Sequence, residues 1–546
     1  MLFAARSAAA LYRLLDVLPV FAGDDRIVRE FTLVPGSAFG IDALGALERA
    51  GARGVPWGRA LAGDYDLVLA ASPKGELSRL RGRRVLLPHG AGFGKSVDGE
   101  GTPGLASGLD PAYLLSRGVP LAEVHALAHP SQVSRLAALS PRAAERATVV
   151  GDPTLDRLLA SRGLRERYRA ALGTGGRTLL VVTSTWGPES LLHHRPGLIG
   201  ELATQLPFDA YQLALVVHPN ERSRLGELGL AECLSPALEA GLLLPEPYEE
   251  WAAVLVAADA VLSDHGSTAL YAAALGHPVL SAYEGGGELL PGSPMSALLA
   301  RAPRFLGPQA LPGQLAAFEP ARAREAADAA FAERGRALGL LRARLYALLG
   351  LDPPRVPAEA RPLPLPAGPA RLPSAFAVRV RLRDAAGTEA EVERRPAHGE
   401  AAAHHLAAEH GPAGERHAQS AGLLYRRASS PGPGAGGAPY SAAWTAGGWI
   451  GEVLERYPGC GAAAVVLGEE RCLIRARSGP LLSVRVGACR EGGRLVRTDP
   501  AAALSGVHAW LPRCAALPAE LSCLIGGRSF PVRVRLATAA EAAAVC

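Results

Sequence analysis

The sequence predicts an α/β protein, with two doubly wound parallel-sheet domains followed by a smaller α+β or β-rich module. Three observations predict it. From residue 1 to about 350, short apolar runs alternate with helical segments, the order that a parallel sheet with crossover helices requires. The runs are continuous rather than alternating, as in strands covered on both faces. Beyond a proline-rich stretch at 352–373 the apolar residues switch to period two, as in strands with one wet face.

The elements follow in order. The N-terminal segment, interrupted by Arg6, Arg13 and Asp16, is no membrane span or leader and reads as a first helix leading to a strand-like Leu18-Pro-Val-Phe-Ala. Strands are predicted at Asp66-Leu-Val-Leu-Ala, Arg84-Val-Leu-Leu-Pro, Val124-His-Ala-Leu-Ala and Thr148-Val-Val-Gly in a domain spanning 1–150. A second domain, 151–350, has them at Thr178-Leu-Leu-Val-Val-Thr, Gln212-Leu-Ala-Leu-Val-Val-His, Gly241-Leu-Leu-Leu-Pro, Ala260-Val-Leu-Ser and Pro278-Val-Leu-Ser. The division falls after Gly151-Asp152-Pro153, where Asp152 caps a helix opened by Pro153. A long Ala/Arg-rich helix over about 320–349 is expected to pack back across the first domain. Residues 351–373 form a semi-rigid linker, and 374–546 an accessory module with an unstructured Pro/Gly-rich part around 426–440. Its period-two strands are Phe376-Ala-Val-Arg-Val-Arg-Leu, Val484-Arg-Val and Val532-Arg-Val-Arg-Leu.

Composition narrows the function. A net charge of +5 over 546 residues, with no Lys/Arg run, lacks the concentrated basic face that nucleic acid requires. The seven cysteines contain no C-x-x-C pair, which implies reduced thiols in the cytoplasm and no zinc site. The stretch His398, Glu400, His404, His405, Glu409, His410 and His417 has metal-ligand residue types but no ligand spacing, and reads as a solvated helix. No bound metal or cofactor is expected.

Chemistry concentrates where strands end. After Ala260-Val-Leu-Ser comes Asp264-His265-Gly266-Ser267-Thr268, a turn into a helix; hydroxyls and free N–H groups there suit a diphosphate. Thr183-Ser184-Thr185-Trp186 and Val217-His218-Pro219 end two further strands of the same sheet. Glu284, beyond the next strand, joins Thr183, Ser184 and Thr185 as a candidate for the nucleotide and ribose region. Leu87-Pro88-His89-Gly90-Ala91-Gly92-Phe93-Gly94-Lys95-Ser96 ends like a phosphate-binding P-loop. His89 stands where its first glycine belongs, however, and Val-Asp-Gly-Glu-Gly-Thr-Pro-Gly is unfit to open the helix it needs. What remains is a histidine at a strand's carboxyl end, a plausible general base, with a rare lysine nearby; Lys74 and Lys95 are the only lysines.

In this order (strand-His-Gly with Lys, Gly-x-Pro-x-x-Asp, Thr-Ser-Thr-Trp, His-Pro, Ser-Asp-x-x-Ser-Thr, Gly-x-Pro) the set resembles the GT-B glycosyltransferases. Within them it is most similar to the CDP-glycerol glycerophosphotransferases of teichoic acid synthesis, over roughly 80–285. The resemblance implies two Rossmann-like domains, an acceptor-side 1–150 and a nucleotide-donor 151–350. It implies a catalytic His89 with Lys95, and donor-phosphate contacts from His218, Asp264, Gly266, Ser267 and Thr268. It also implies a CDP- or UDP-linked donor, a hydroxyl acceptor and peripheral membrane contact of the kind a polymer-making enzyme has, while oligomeric state stays open. The chain departs from the family pattern in four places, one being the helix after the turn, where Tyr271 to Ala274 stand at the position that many relatives give to an acidic residue. Ala-Gly-Phe-Gly replaces Thr-Pro-Leu after His-Gly, Lys95 comes one place late, and His265-Gly266 stands for Tyr-Ser. Two alternatives stay open: a UDP-sugar 2-epimerase-like enzyme, and a non-catalytic GT-B protein serving as a binding module.

Overall fold

A computed structural model describes the chain except residues 38, 89, 98, 284–285, 385–387, 398–402, 429–442 and 515, and the side chains of 41 and 322. The chain opens on a strand, not a helix: β1 (Leu2–Ala5) is fully buried, and Ser7 then caps α1 (Ala8–Asp16). Leu18–Phe21, expected as a strand, is a 3-10 turn, because Pro19 removes a donor that a central strand would need. With β2 (Glu30–Leu33), β3 (Asp64–Ala70), β4 (Arg81–Leu86), β5 (Val124–Leu127) and β6 (Ala147–Val149), β1 forms a six-stranded parallel sheet of order β2-β1-β3-β4-β5-β6. α2 (Pro130–Leu139), capped by His129, follows β5, and α3 (Pro153–Ala160), capped by Asp152, leads into the second domain.

That domain holds β7 (Thr178–Ser184), β8 (Tyr211–Val217), β9 (Ala260–Ser263) and β10 (Val279–Ser281) in a parallel sheet of order β8-β7-β9-β10. The expected strand at 241–245 contributes one bridge, Ala214 to Leu243. α4 (Pro219–Glu239) follows β8, and α5 (Thr268–Leu275), which follows β9, ends on Gly276 at φ 88°, a left-handed cap that favours glycine. The helix expected over 320–349 is two helices; the second, α6 (Ala337–Leu349), returns to the first domain and buries Leu338, Leu341, Leu345 and Tyr346 in its core. Residues 351–373 are not a free spacer. Leu363 is buried in the second domain's core, its carbonyl accepting from Tyr168 Oη at 2.7 Å.

The C-terminal module is a closed barrel. Its strands are β11 (Ala375–Leu382), β12 (Glu389–Pro396), β13 (His405–Glu409), β14 (Leu423–Arg427), β15 (Ala462–Val466), β16 (Arg471–Ala476), β17 (Leu482–Val486), β18 (Ala519–Ile525) and β19 (Arg528–Leu536). Around the barrel they run β11-β12-β18-β19-β17-β16-β15-β14-β13, and β13 closes onto β11. α7 (Pro500–Trp510) packs with the inward side chains, and its residues Ala501 to Val507 have no exposed surface. A side chain at Gly506 would meet Cys523 Sγ at 2.9 Å, so only small residues let this helix sit against the strands. Within the stretch expected as a solvated helix, 405–409 are β13, with His405 half-buried, and His417 lies in a short helix, Glu415–Ser420; His398 and Glu400 lie outside the described residues, as does 429–440 of the stretch expected to lack order. All seven cysteines are unpaired, and among the described residues no helix is long and apolar enough to cross a membrane.

Two histidines, His125 buried and His277 half-buried, give the fold an acid limit. Burial lowers His125 in β5 and His277 before β10 to about 4 each. In the unfolded chain they titrate near ~6.5, so between there and about 4 the unfolded state binds protons that the folded state does not. Stability therefore falls as pH drops through that window, by up to about 1.4 kcal/mol per unit for each histidine. Urea midpoints are expected to decline from neutrality into this range, less steeply in His125→Phe; superimposable profiles would contradict the assignment.

Candidate functional site

The carboxyl ends of both parallel sheets open into one cleft of about 430 Å³ between the domains, a volume in the range of small-molecule sites. In the second domain's sheet the order reverses between β7 and β9, the place where open α/β sheets bind ligands. The two strand ends are fastened there: Thr183 Oγ1 lies 2.6 Å from Ser263 Oγ. Thr183, Ser184, Thr185, His218, Gly266, Ser267, Thr268 and Lys95 all line the cleft, together with Trp186 and His265. His89 and Glu284 lie outside the described residues.

Asp264 has a different place from the one expected of a phosphate contact. It is wholly buried and absent from the cleft lining. Its Oδ2 accepts from the N–H groups of Thr185 (2.8 Å) and Leu191 (2.9 Å), and Oδ1 from Gly266 (2.9 Å). Burial pushes its pKa up, against the pull of His265 and these three amides. A carboxylate would repel a phosphate; here it ties the turn after β7 to the turn after β9 and so shapes the site. With the turn held from below, Ser267 caps α5 without a side-chain capping bond.

His218 caps α4, its Nδ1 accepting from the Asn220 N–H at 3.1 Å. In the neutral ring that bond leaves the proton on Nε2, a hydrogen-bond donor on a cleft-lining residue. Glu221, one turn further and almost fully buried, accepts from the Gly187 N–H at 3.3 Å and holds the turn that carries Trp186.

The loop after β4 crosses to the second domain. Gly90 packs beside Ser267, so that a Cβ on Gly90 would lie 3.4 Å from Ser267 Oγ. Gly94 O accepts from Leu290 N and Ser96 N donates to Glu288 O, each at 2.9 Å, a short antiparallel bridge centred on Lys95 and Leu289. Lys95 Nζ donates to Trp186 O at 2.7 Å, lies 4.8 Å from that indole ring, and pairs with Glu288 Oε2 at 2.6 Å. Glu288 also meets His265 Nε2 at 3.2 Å; burial opposes its charge, but the His265 and Lys95 contacts hold its carboxyl below the usual range. Glu189, His265 and Glu288 bring ligand-type atoms within 4.8 Å of one another, but the Lys95 ammonium already supplies the positive charge there. No sequence signal marked Glu288, because one partner, Lys95, arrives from the other domain and another, His265, from a turn 23 residues away.

The opposite side of the cleft is stitched as well. Tyr12 stacks on Tyr248 at 4.8 Å, and Arg13 pairs with Asp152 at 3.2 Å. Tyr271 of α5 donates to Asp152 at 2.8 Å and accepts from Arg13, and Arg157 joins Asp16 at 3.1 Å and Glu249.

Two doubly wound parallel domains facing each other across such a cleft make a GT-B-like architecture. No family model and no curated protein matches the sequence. Among solved structures the chain is similar to the wall teichoic acid polymerase TagF (14% identity, 64% of this chain and 88% of that one, TM-score 0.44). It is also similar to the UDP-GlcNAc 2-epimerase of Neisseria meningitidis bound to UDP-GlcNAc (12% identity, 63% and 99%, TM-score 0.40). A third is a UDP-N-acetylglucosamine 2-epimerase of Listeria monocytogenes, described as putative (13% identity, 65% and 98%, TM-score 0.41). The architecture itself is read from the two sheets and the cleft they share.

Proposed function

We propose that this chain transfers a glycerophosphate or glycosyl group from a nucleotide-diphosphate-linked donor, CDP- or UDP-based, to an acceptor hydroxyl. The observation that carries this reading is convergence. Turns from three adjacent strands of one sheet and a loop from the facing sheet line a single cleft at the strands' carboxyl ends. A filled or dispersed cleft would have favoured a non-catalytic binding protein, and this one has about 430 Å³ of room.

In this reading the diphosphate lies on the Gly266–Thr268 turn at the start of α5, where backbone N–H groups, two hydroxyls and the helix dipole favour negative charge. His89, next to the Gly90 that packs beside Ser267, takes the proton from the acceptor hydroxyl. The acceptor oxygen then bonds to the donor's terminal phosphorus, expelling a nucleoside monophosphate, or to an anomeric carbon, expelling a nucleoside diphosphate. His218 Nε2–H and the turn's amides answer the charge on the leaving group. The glycine-rich loop and the Lys95 bridge keep water from the reacting atoms.

A thermal-shift series with CDP, UDP, CDP-glycerol and UDP-GlcNAc tests the reading. At least one nucleotide is expected to raise the midpoint by several degrees, as saturating ligand does when it binds only the folded state. Well-folded protein that responds to none of them would return the chain to the non-catalytic class.

A further inference from the structure

The loop that carries His89 and Lys95 takes a path that needs an external support. Gly92 and Phe93 are both left-handed, at φ 77° and 48°, and Phe93 is no glycine. A non-glycine residue there is strained and persists only where its surroundings enforce it. The Phe93 ring is one part of that enforcement. It packs so closely under Gly108 that a Cβ on Gly108 would come within 2.2 Å of it.

The other part is Arg135 of α2. One guanidinium nitrogen donates to Gly92 O at 2.8 Å and another to Phe93 O at 2.9 Å, so a single planar fork holds two successive carbonyls that would otherwise repel each other. Among the described residues Arg135 has no carboxylate partner, and burial lowers its pKa, so keeping the cation there is unfavourable apart from these two bonds. It does not line the cleft. Either side of the forked carbonyls the loop meets the donor domain, through Gly90 beside Ser267 and through Gly94 to Ser96 bridged to 288–290.

We propose that Arg135 is a positioning residue, whose grip on Gly92 and Phe93 sets the path of the 90–97 loop and thereby the placement of Lys95 in the cleft. Its consequence for catalysis rests on the transferase reading; its effect on the loop does not. A lysine exchange would keep the charge but lose the fork.

The test exploits the two lysines of the chain. Lysyl endopeptidase can cut only after Lys74 and Lys95, and Lys95 sits in the bridged loop while Lys74 serves as an internal control. In Arg135→Ala, cleavage after Lys95 is expected to rise roughly tenfold or more, the weight of two charge-assisted hydrogen bonds, with cleavage after Lys74 unchanged. Millimolar guanidinium chloride, too dilute to denature, is expected to restore protection of Lys95. Arg135→Gln, which keeps the volume and an amide donor, serves if the alanine variant does not fold, and is expected to show the same site-selective loss. The CDP or UDP thermal shift is expected to survive, since the phosphate turn belongs to the other domain. Equal acceleration at both lysines, no acceleration at Lys95, or no response to guanidinium would overturn the proposal. Absence of any nucleotide shift in the wild-type protein would instead overturn the transferase reading and leave the proteolysis result standing.

Discussion

His89→Ala is expected to slow group transfer by about 10²–10⁴-fold, the range over which a positioned general base acts, while the nucleotide thermal shift stays close to wild type. The separation follows from the architecture. In the proposed transfer the base follows β4 in the chain, in one domain, whereas Ser267, Thr268 and His218 belong to the other. Loss of the base leaves the diphosphate's contacts in place and removes only the group that accepts the acceptor's proton. Initial rates of nucleotide release, measured beside the shift, check this. Parallel loss of rate and binding, or loss of folding, would assign His89 a structural role instead.

Arg394→Ala is expected to cost about 3–5 kcal/mol, because it removes the wholly buried ion-pair partner of Asp209 and one of the two arginines that balance Asp499. Arg394, in β12, has no exposed surface. It grips Asp209 of the second domain through two bonds, 2.6 and 2.8 Å, and Asp499, the cap of α7, at 3.0 Å. Its carbonyl accepts from Phe208 N at 2.8 Å, and Phe208 packs on Phe376 with ring centroids 5.1 Å apart. One guanidinium thus fastens the barrel to the second domain and fixes the start of the helix packed among its strands. Burial disfavours the Asp499 charge, but Arg394 and Arg427 hold its carboxyl below the usual range, a balance that the substitution reverses. Calorimetry is expected to show the barrel's transition moving down and separating from that of the α/β domains. Arg394→Lys, with one charge and no fork, recovers part of the loss. A change under about 1 kcal/mol, the scale of an exposed ion pair, would contradict this account.

Much of the α/β half was legible because parallel strands buried on both faces leave continuous apolar runs, as in Thr178–Ser184 and Tyr211–Val217. The N-terminus misled because Leu2–Ala5 is short and runs directly into an Ala-rich helix, so nothing in the pattern marks the strand's end. In the barrel, β11, β17 and β19 declared themselves by period two. β13 did not, since His and Ala carry no clear alternation. The burial of α7 is a tertiary property: Pro-Ala-Ala-Ala-Leu-Ser-Gly-Val reads as compositional bias until strands surround it. At the site, residue types at strand ends could be read, but their commitments could not. Asp264 carries the polar chemistry of a ligand contact and spends it on three backbone amides. Lys95 reads as a lone cation, and its partners Glu288 and Trp186 lie in the other domain.

Whether a nucleotide diphosphate rests on the Gly266–Thr268 turn is tested by comparing thermal shifts of the wild type and the Ser267→Ala/Thr268→Ala variant with the best-stabilising nucleotide. The account predicts a clear shift in the wild type and its near disappearance in the variant, whose midpoint without nucleotide stays close to wild type because Ser267 makes no capping bond. An undiminished shift in the variant would place the nucleotide elsewhere and contradict the account.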